Sequence, residues 1–225
     1  MRKLSGWLLL CLLLSVTPAM AADPELKTEE QKTLYALGIA IGTNLAGFTL
    51  SAADLEAVKA GITDAVLNHE KKADLQVYGP KIGELQQSRA KALAAVERKA
   101  GQTYADKAAS QKDTTRTGSG LVITTLKEGT GPSPKATDTV KVNYHGTLTD
   151  GTVFDSSVQR GEPAVIALNG VITCWTEALP RMKVGGKSRL ICPADLAYGD
   201  NGRMPRIKPG ATLVFEVELL DIVTK

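Results

Sequence analysis

Histidine and cysteine are scarce in this sequence, and their scarcity removes most of the usual catalytic machinery. There are two histidines and three cysteines in 225 residues. His69 follows a helical segment in a polar stretch and reads as a surface residue. His145 lies beside Tyr144 in an alternating segment and reads as a solvated strand residue. Cys174 and Cys192 stand 18 apart with no histidine nearby, so no metal-ligand cluster is visible. There is no Gly-x-Ser-x-Gly elbow and no phosphate loop. Gly38 and Gly42 lack the preceding strand that a nucleotide-binding fingerprint needs. Nothing calls for a cofactor or a metal. Excess charge is also absent. Without Arg2 and Lys3, 25 basic residues face 24 acidic ones, which gives no electrostatic basis for binding nucleic acid. Beyond the N-terminus no apolar run is long enough for a membrane span.

What is present begins with a leader. Arg2 and Lys3, the apolar run Trp7 to Leu14 and the Ala19-Met20-Ala21 cleavage pattern predict a secretory signal over residues 1–21. The run is shorter than the ~20 residues that cross a bilayer. Cys11 would leave with it. The exported chain is therefore expected in the periplasm, with outer-membrane or surface association as a variant. Two cysteines remain, Cys174 and Cys192. An even count in an exported chain favours pairing, while two small buried hydrophobes are the plain alternative.

Residues 22–79 predict a helical dimerisation domain. Thr28-Glu29-Glu30-Gln31 matches a capping box. Leu34, Leu37, Ile41 and Leu45 follow as one apolar stripe. Gly38 and Gly42, four apart, indicate close packing by another helix. A second helix is predicted from Ser51, with Leu55, Val58, Ile62 and Val66 as its stripe. Two short helices bury too little surface alone, and a second copy of the chain is the simplest partner. Residues 80–112 predict a long connecting helix with Pro80 at its first position. Its apolar positions, Ile82, Leu85, Leu93 and Val96, are sparse, which predicts a solvated stalk that Gly101 weakens or bends. The polar, glycine-containing residues 113–120 read as a linker.

From 121 to 225 the period changes to alternation. Val140, Val142 and Tyr144 alternate with Lys141, Asn143 and His145. Asp150-Gly151 marks a turn before a strand over 152–155. Further strands are predicted at 164–168 and 187–192. In the last strand Leu213, Phe215, Val217 and Leu219 share a face. One short helix fits, around Trp175, Leu179 and Met182. The fold class is α+β, a twisted antiparallel sheet wrapped around one short helix and preceded by an all-helical segment.

Aromatics make up only 4% of the chain, yet Tyr144, Phe154, Trp175, Tyr198 and Phe215 all fall in this second half. Four motifs occur there in order: Phe154-Asp155-Ser156-Ser157 after the Asp-Gly turn, Val171-Ile172-x-x-Trp175, Leu196-Ala197-Tyr198-Gly199, and the strand Ala211 to Leu220. Together they resemble the FK506-binding-protein family of peptidyl-prolyl isomerases, from about Gly118 to Ile222. The front helices, with Tyr35 to Gly38 and Ile41-Gly42, resemble the dimerisation domain of its exported Mip/FkpA-type members. The resemblance implies a pocket lined by Tyr144, Phe154, Asp155, Val171, Ile172, Trp175, Tyr198, Ile207 and Phe215. Trp175 would be the floor, and the Ile172 N–H and Tyr198 hydroxyl would hold substrate carbonyls. Asp155 and Tyr198 would act on the rotating amide, with Arg160 paired to Asp155. The departures are Ala164 where a large aromatic is common, Cys174 before the tryptophan, Pro180 late in the short helix, and a basic loop with Arg203, Met204 and Arg206. The last bears on binding of FK506- or rapamycin-type macrocycles.

The function implied is isomerisation of X-Pro bonds in unfolded exported proteins by a homodimer, with chaperone activity. The alternatives are a non-catalytic peptide-binding module or holdase, and a surface factor acting on matrix proteins. A disulfide between Cys174 and Cys192 is expected within the pocket domain.

Overall fold

The computed structural model describes residues 25–223, and the predicted leader lies outside them. The described residues divide into two compact units, with the boundary between Ile39 and Ala40.

Local chemistry explains the helix starts. Thr28 Oγ1 accepts from the Gln31 N–H, and the Gln31 side chain accepts from the Thr28 N–H, so the predicted capping box opens α1 (Glu29–Asn44). Ser51 and Asp54 form the same reciprocal pair before α2 (Ala52–Val66). Neither helix has a buried residue; Leu34, Leu37, Leu55, Ile62 and Val66 are exposed. Nothing lies within 4 Å of a side chain added at Gly38 or Gly42.

The third helix departs from expectation. α3 spans Leu75–Ala109 and starts at Asp74, whose side chain accepts from the Gln76 N–H. Pro80 is therefore inside the helix, not at its first position. It sits early enough that its missing N–H costs a single bond in an exposed turn. Nor is α3 a solvated stalk throughout. Its large apolar side chains Ile82, Leu85 and Val96 are exposed, but Ala94, Gly101, Ala105 and Ala108 are buried. Small residues allow the C-terminal half to lie directly on the sheet. Gly101 is a contact point instead of a weak point, since a methyl group there would overlap the Thr212 side chain.

The strands are β1 (Thr114–Arg116), β2 (Val122–Lys127), β3 (Thr139–Leu148), β4 (Val153–Ser156), β5 (Ala164–Ala167), β6 (Lys187–Cys192) and β7 (Leu213–Val223). They form one antiparallel sheet in the order β1-β2-β6-β7-β3-β4, with β5 pairing β3. The segment read as a linker thus contributes a strand: Thr114 pairs Thr124, and Arg116 pairs Val122 and bonds Asp106 of α3. Between β4 and β5 a single helical turn, α4 (Ser157–Arg160), was not expected. α5 (Thr173–Ala178) stops before Leu179 and Met182, which were expected in it, because Pro180 turns the chain into a 3-10 turn at Leu179–Arg181.

Two packed layers follow from the alternation. Val140, Val142, Tyr144, Leu213, Phe215, Val217 and Leu219 face α5 and make the main core with Trp175, Leu179 and Leu190. Val122, Ile191 and Val214 point the other way and are covered by Ala105 and Ala108 of α3. Among the described residues no helix is long and apolar enough to cross a membrane.

Candidate active site

The site grows out of β3. Its inward residue Tyr144 is fixed by a buried bond from its N–H to Ser157 Oγ, at the start of α4. Ser156 caps that turn by accepting from the Gln159 N–H, and Gly161 closes it with a φ of 80° that a glycine adopts freely. This one turn aims Arg160 back at β3. The guanidinium donates to Asp155 Oδ1 and, at 2.8 Å, to the Tyr144 hydroxyl, which itself donates to Asp155 Oδ2 at 2.5 Å. Burial pulls the Asp155 carboxyl up, but the bonds from Tyr144 and Arg160 outweigh it and hold the group below its ordinary range. Burial and the Asp155 bond push the Tyr144 phenol up. The pair is therefore a neutral phenol donating to a carboxylate.

Trp175 comes from α5, which is tied to the sheet at its start. The structure joins Cys174 to Cys192 at the end of β6, with Cα atoms 5.7 Å apart. The indole then stands edge-on to Tyr144 (centroids 5.3 Å, 85°) and to Phe215 (5.4 Å, 81°), and Phe215 stands edge-on to Phe154 (5.5 Å, 88°). Such perpendicular contacts set the positive edge of one ring against the negative face of the next. Gly146 of β3 makes room for the last pair. A Cβ there would lie 2.8 Å from Phe154 and 3.0 Å from Phe215.

These rings line one open cleft of about 570 Å³, which brings together Tyr144, Phe154, Asp155, Val171, Ile172, Trp175, Tyr198 and Phe215. Eight of the nine residues expected from the sequence share it. The ninth, Ile207, lines an adjoining hollow of about 370 Å³ with Arg203, Met204, Pro205 and Arg206. The two spaces share Phe154, Asp155, Tyr198 and Arg203. Ile207 is drawn there because its N–H and C=O pair with Arg203 across the tip of its loop. Ile166, Ala197 and Arg203 line the cleft without having been expected. The alternation of β5, which puts Ile166 on the same face as Ala164, was the available signal for Ile166. Arg203 stacks over the Tyr198 ring at 5.9 Å.

Three donors on residues that line this space have no partner among the described residues. The Ile172 N–H precedes α5 and reaches no acceptor. The Tyr198 hydroxyl makes no bond to another described residue. The Trp175 Nε1–H is buried and unpaired. Buried or convergent donors left open cost free energy unless a ligand takes them. His145 is removed from the cleft. It is half-buried on the outer face of β3, 3.0 Å from Ser156 Oγ, and is less solvated than expected. His69 is exposed, near Asp64. Among the described residues no group of histidine, cysteine and carboxylate side chains could hold a metal.

The comparisons with known proteins match this geometry. Residues 131–220 match the family model described as FKBP-type peptidyl-prolyl cis-trans isomerase, and residues 30–123 match the domain amino terminal to it. The chain is 40% identical to FKBP-type peptidyl-prolyl cis-trans isomerase FkpA of Escherichia coli, over 91% of this chain and 81% of that one. It is 41% identical to the FKBP-type 22 kDa peptidyl-prolyl cis-trans isomerase of the same organism, over 89% and 98%. The crystal structure of FkpA from Escherichia coli superposes with a TM-score of 0.67 at 38% identity, covering 88% of this chain and 98% of that one.

Proposed function

The chain belongs to the FKBP-type peptidyl-prolyl cis-trans isomerases, and from that premise we propose how its residues catalyse the rotation. The proline ring of an X-Pro segment rests on the Trp175 indole, walled by Tyr144, Phe154 and Phe215. The Ile172 N–H and the Tyr198 hydroxyl donate to the flanking carbonyls. The barrier to overcome is ~18–20 kcal/mol, because resonance makes the C–N bond partly double. A twisted amide has lost that resonance and is less polar than the planar one. A cleft walled by aromatic rings disfavours the planar form relative to the twisted one. Donors that fit only the twisted geometry add to the difference, and only such differential binding accelerates. Asp155, held ionised by Tyr144 and Arg160, presents a fixed negative charge beside the rotating bond. No nucleophile or general base is needed.

The observation that carries this reading is the single cleft shared by Trp175, Tyr198, Asp155 and the two phenylalanines. Exchange spectroscopy on a short X-Pro peptide tests it. Wild type should accelerate exchange, Trp175→Ala should abolish most of the effect, and Tyr198→Phe and Asp155→Ala should reduce it. Equal rates in all four would remove the roles assigned here.

The exposed apolar stripes of α1 and α2, with open space at Gly38 and Gly42, support assembly through a second copy of the chain. The leader supports export to the periplasm, where unfolded exported proteins would be the clients. Light scattering on the secreted chain should give twice the monomer mass, and Leu37→Glu should halve it. The same exposed faces favour a second activity, holding clients without catalysis. In that case Asp155→Ala and Tyr198→Phe leave protection against client aggregation intact.

A further inference from the structure

A polar helix with few large apolar positions has little reason to lie on a sheet, yet the C-terminal half of α3 does. Its approach is set by small residues. A methyl group at Gly210 would overlap the Ala94 backbone, and one at Gly101 would overlap Thr212. Between these two contacts Arg98 projects from α3 toward the loop that follows β6. Its Nη1 and Nη2 donate to Asp195 Oδ2 and Oδ1 at 2.8 and 2.7 Å, and its Nε donates to Asp200 Oδ1 at 2.7 Å. The neighbouring Glu97 accepts from Lys208 Nζ at 3.2 Å.

The placement of these anchors matters. Asp195 and Asp200 bracket Tyr198, and Lys208 follows Ile207. The loop between β6 and β7 has no ladder of its own, only two 3-10 turns around Tyr198 and one bridge from Arg203 to Ile207. Isolated surface ion pairs contribute little. A forked guanidinium–carboxylate pair extended to a second carboxylate is the geometry that does contribute, because its five donors are rigidly spaced. The Arg98 bonds also hold the Asp195 carboxyl below its ordinary range.

We propose that Arg98 is a positioning residue for isomerisation: through Asp195 and Asp200 it fixes the loop that carries Tyr198, so that α3 braces the active site as well as connecting it. This rests on the isomerase reading of the cleft.

The test is a double-mutant cycle in the full chain, measured as kcat and KM for exchange of an X-Pro peptide. Arg98→Ala should lower kcat/KM roughly three- to tenfold, since a loosened catalytic group loses rate steeply with displacement. Arg98→Lys should lose most of the same factor, because an ammonium cannot span both carboxylates. In a Tyr198→Phe background Arg98→Ala should cost less than twofold, since the two act through one group. The pair Asp195→Asn and Asp200→Asn should reproduce Arg98→Ala while leaving α3 unaltered. Full activity in Arg98→Ala, or a loss that persists undiminished without the Tyr198 hydroxyl, overturns the brace. A wild-type chain without activity would instead overturn the isomerase reading beneath it.

Discussion

Tyr144 and Asp155 lie on adjacent paired strands, and the phenol of one donates to the carboxylate of the other at 2.5 Å while Arg160 bonds both. The arrangement keeps a charged group at the rim of an aromatic cleft without leaving it unpaired. It also sets the pH response.

The Asp155 carboxyl is held below its ordinary 3.8. Its contribution to stability is present above that value and is lost as pH falls through the lower folded one. The Tyr144 phenol is held above its ordinary 10.0. Its contribution is present below that value and is lost as pH rises through the higher folded one. Between the two windows Asp155 stays a carboxylate and Tyr144 a neutral phenol. The expected kcat/KM is flat from about pH 5 to 9. A bell with limbs inside that range, measured by peptide exchange, would contradict a mechanism without proton transfer.

Gly146 offers a test of the cleft that leaves every lining residue in place. Its added methyl would press on Phe154 and Phe215. Gly146→Ala should destabilise the fold by roughly 1–3 kcal/mol, the usual cost of overpacking. It should also reduce catalysis by more than tenfold. Thermal unfolding and peptide exchange on the same sample separate the two effects, and a variant that is fully active would mean the Phe154–Phe215 geometry is not needed.

The bond between Cys174 and Cys192 ties the start of the Trp175 helix to β6. Closing a separation of 18 residues should contribute about 3 kcal/mol by restricting the unfolded chain. Protein recovered from an oxidising compartment should show no free thiol by intact mass. Added reductant should lower its melting temperature. Two free thiols and a melting curve indifferent to reductant would be the opposite result.

The packing of α3 makes a prediction about where the isomerase domain can be cut. A fragment beginning at residue 113 lacks Ala105 and Ala108, so Val122, Ile191 and Val214 lose their cover. One beginning at residue 88 keeps it. The shorter fragment should be several kcal/mol less stable, at the ~25 cal/mol per Å² that apolar burial contributes. Denaturant titration of both fragments decides this. Equal midpoints would mean that α3 rests on the sheet without stabilising it.

The same helix shows where reading the sequence stops working. β3 and β7 were legible because one face of each is buried by large side chains and the other is polar, so the period of two is plain. The cap residues Thr28 and Ser51 were legible because capping is local chemistry. β2 was not, because Val122 and Ile123 are both buried, one on each side of the sheet, and the alternation vanishes. The docking of α3 was hidden because its contacts are alanine and glycine, which carry no hydrophobic signal in a helix that is otherwise polar. β1 was hidden because three polar residues at a sheet edge look like a connection. In the site, motif order brought eight residues to one cleft. Ile207 fell next door because a loop's path between two motifs is fixed by pairing that leaves no periodic trace.

The unpartnered indole at the bottom of the cleft has a practical meaning. The sequence contains two tryptophans, Trp7 and Trp175, and the first belongs to the predicted leader. In the processed chain a single tryptophan would then stand where the proline ring is expected to sit. Its emission wavelength should shift as peptide or macrocycle excludes water from it, so occupancy can be followed optically without attaching any label.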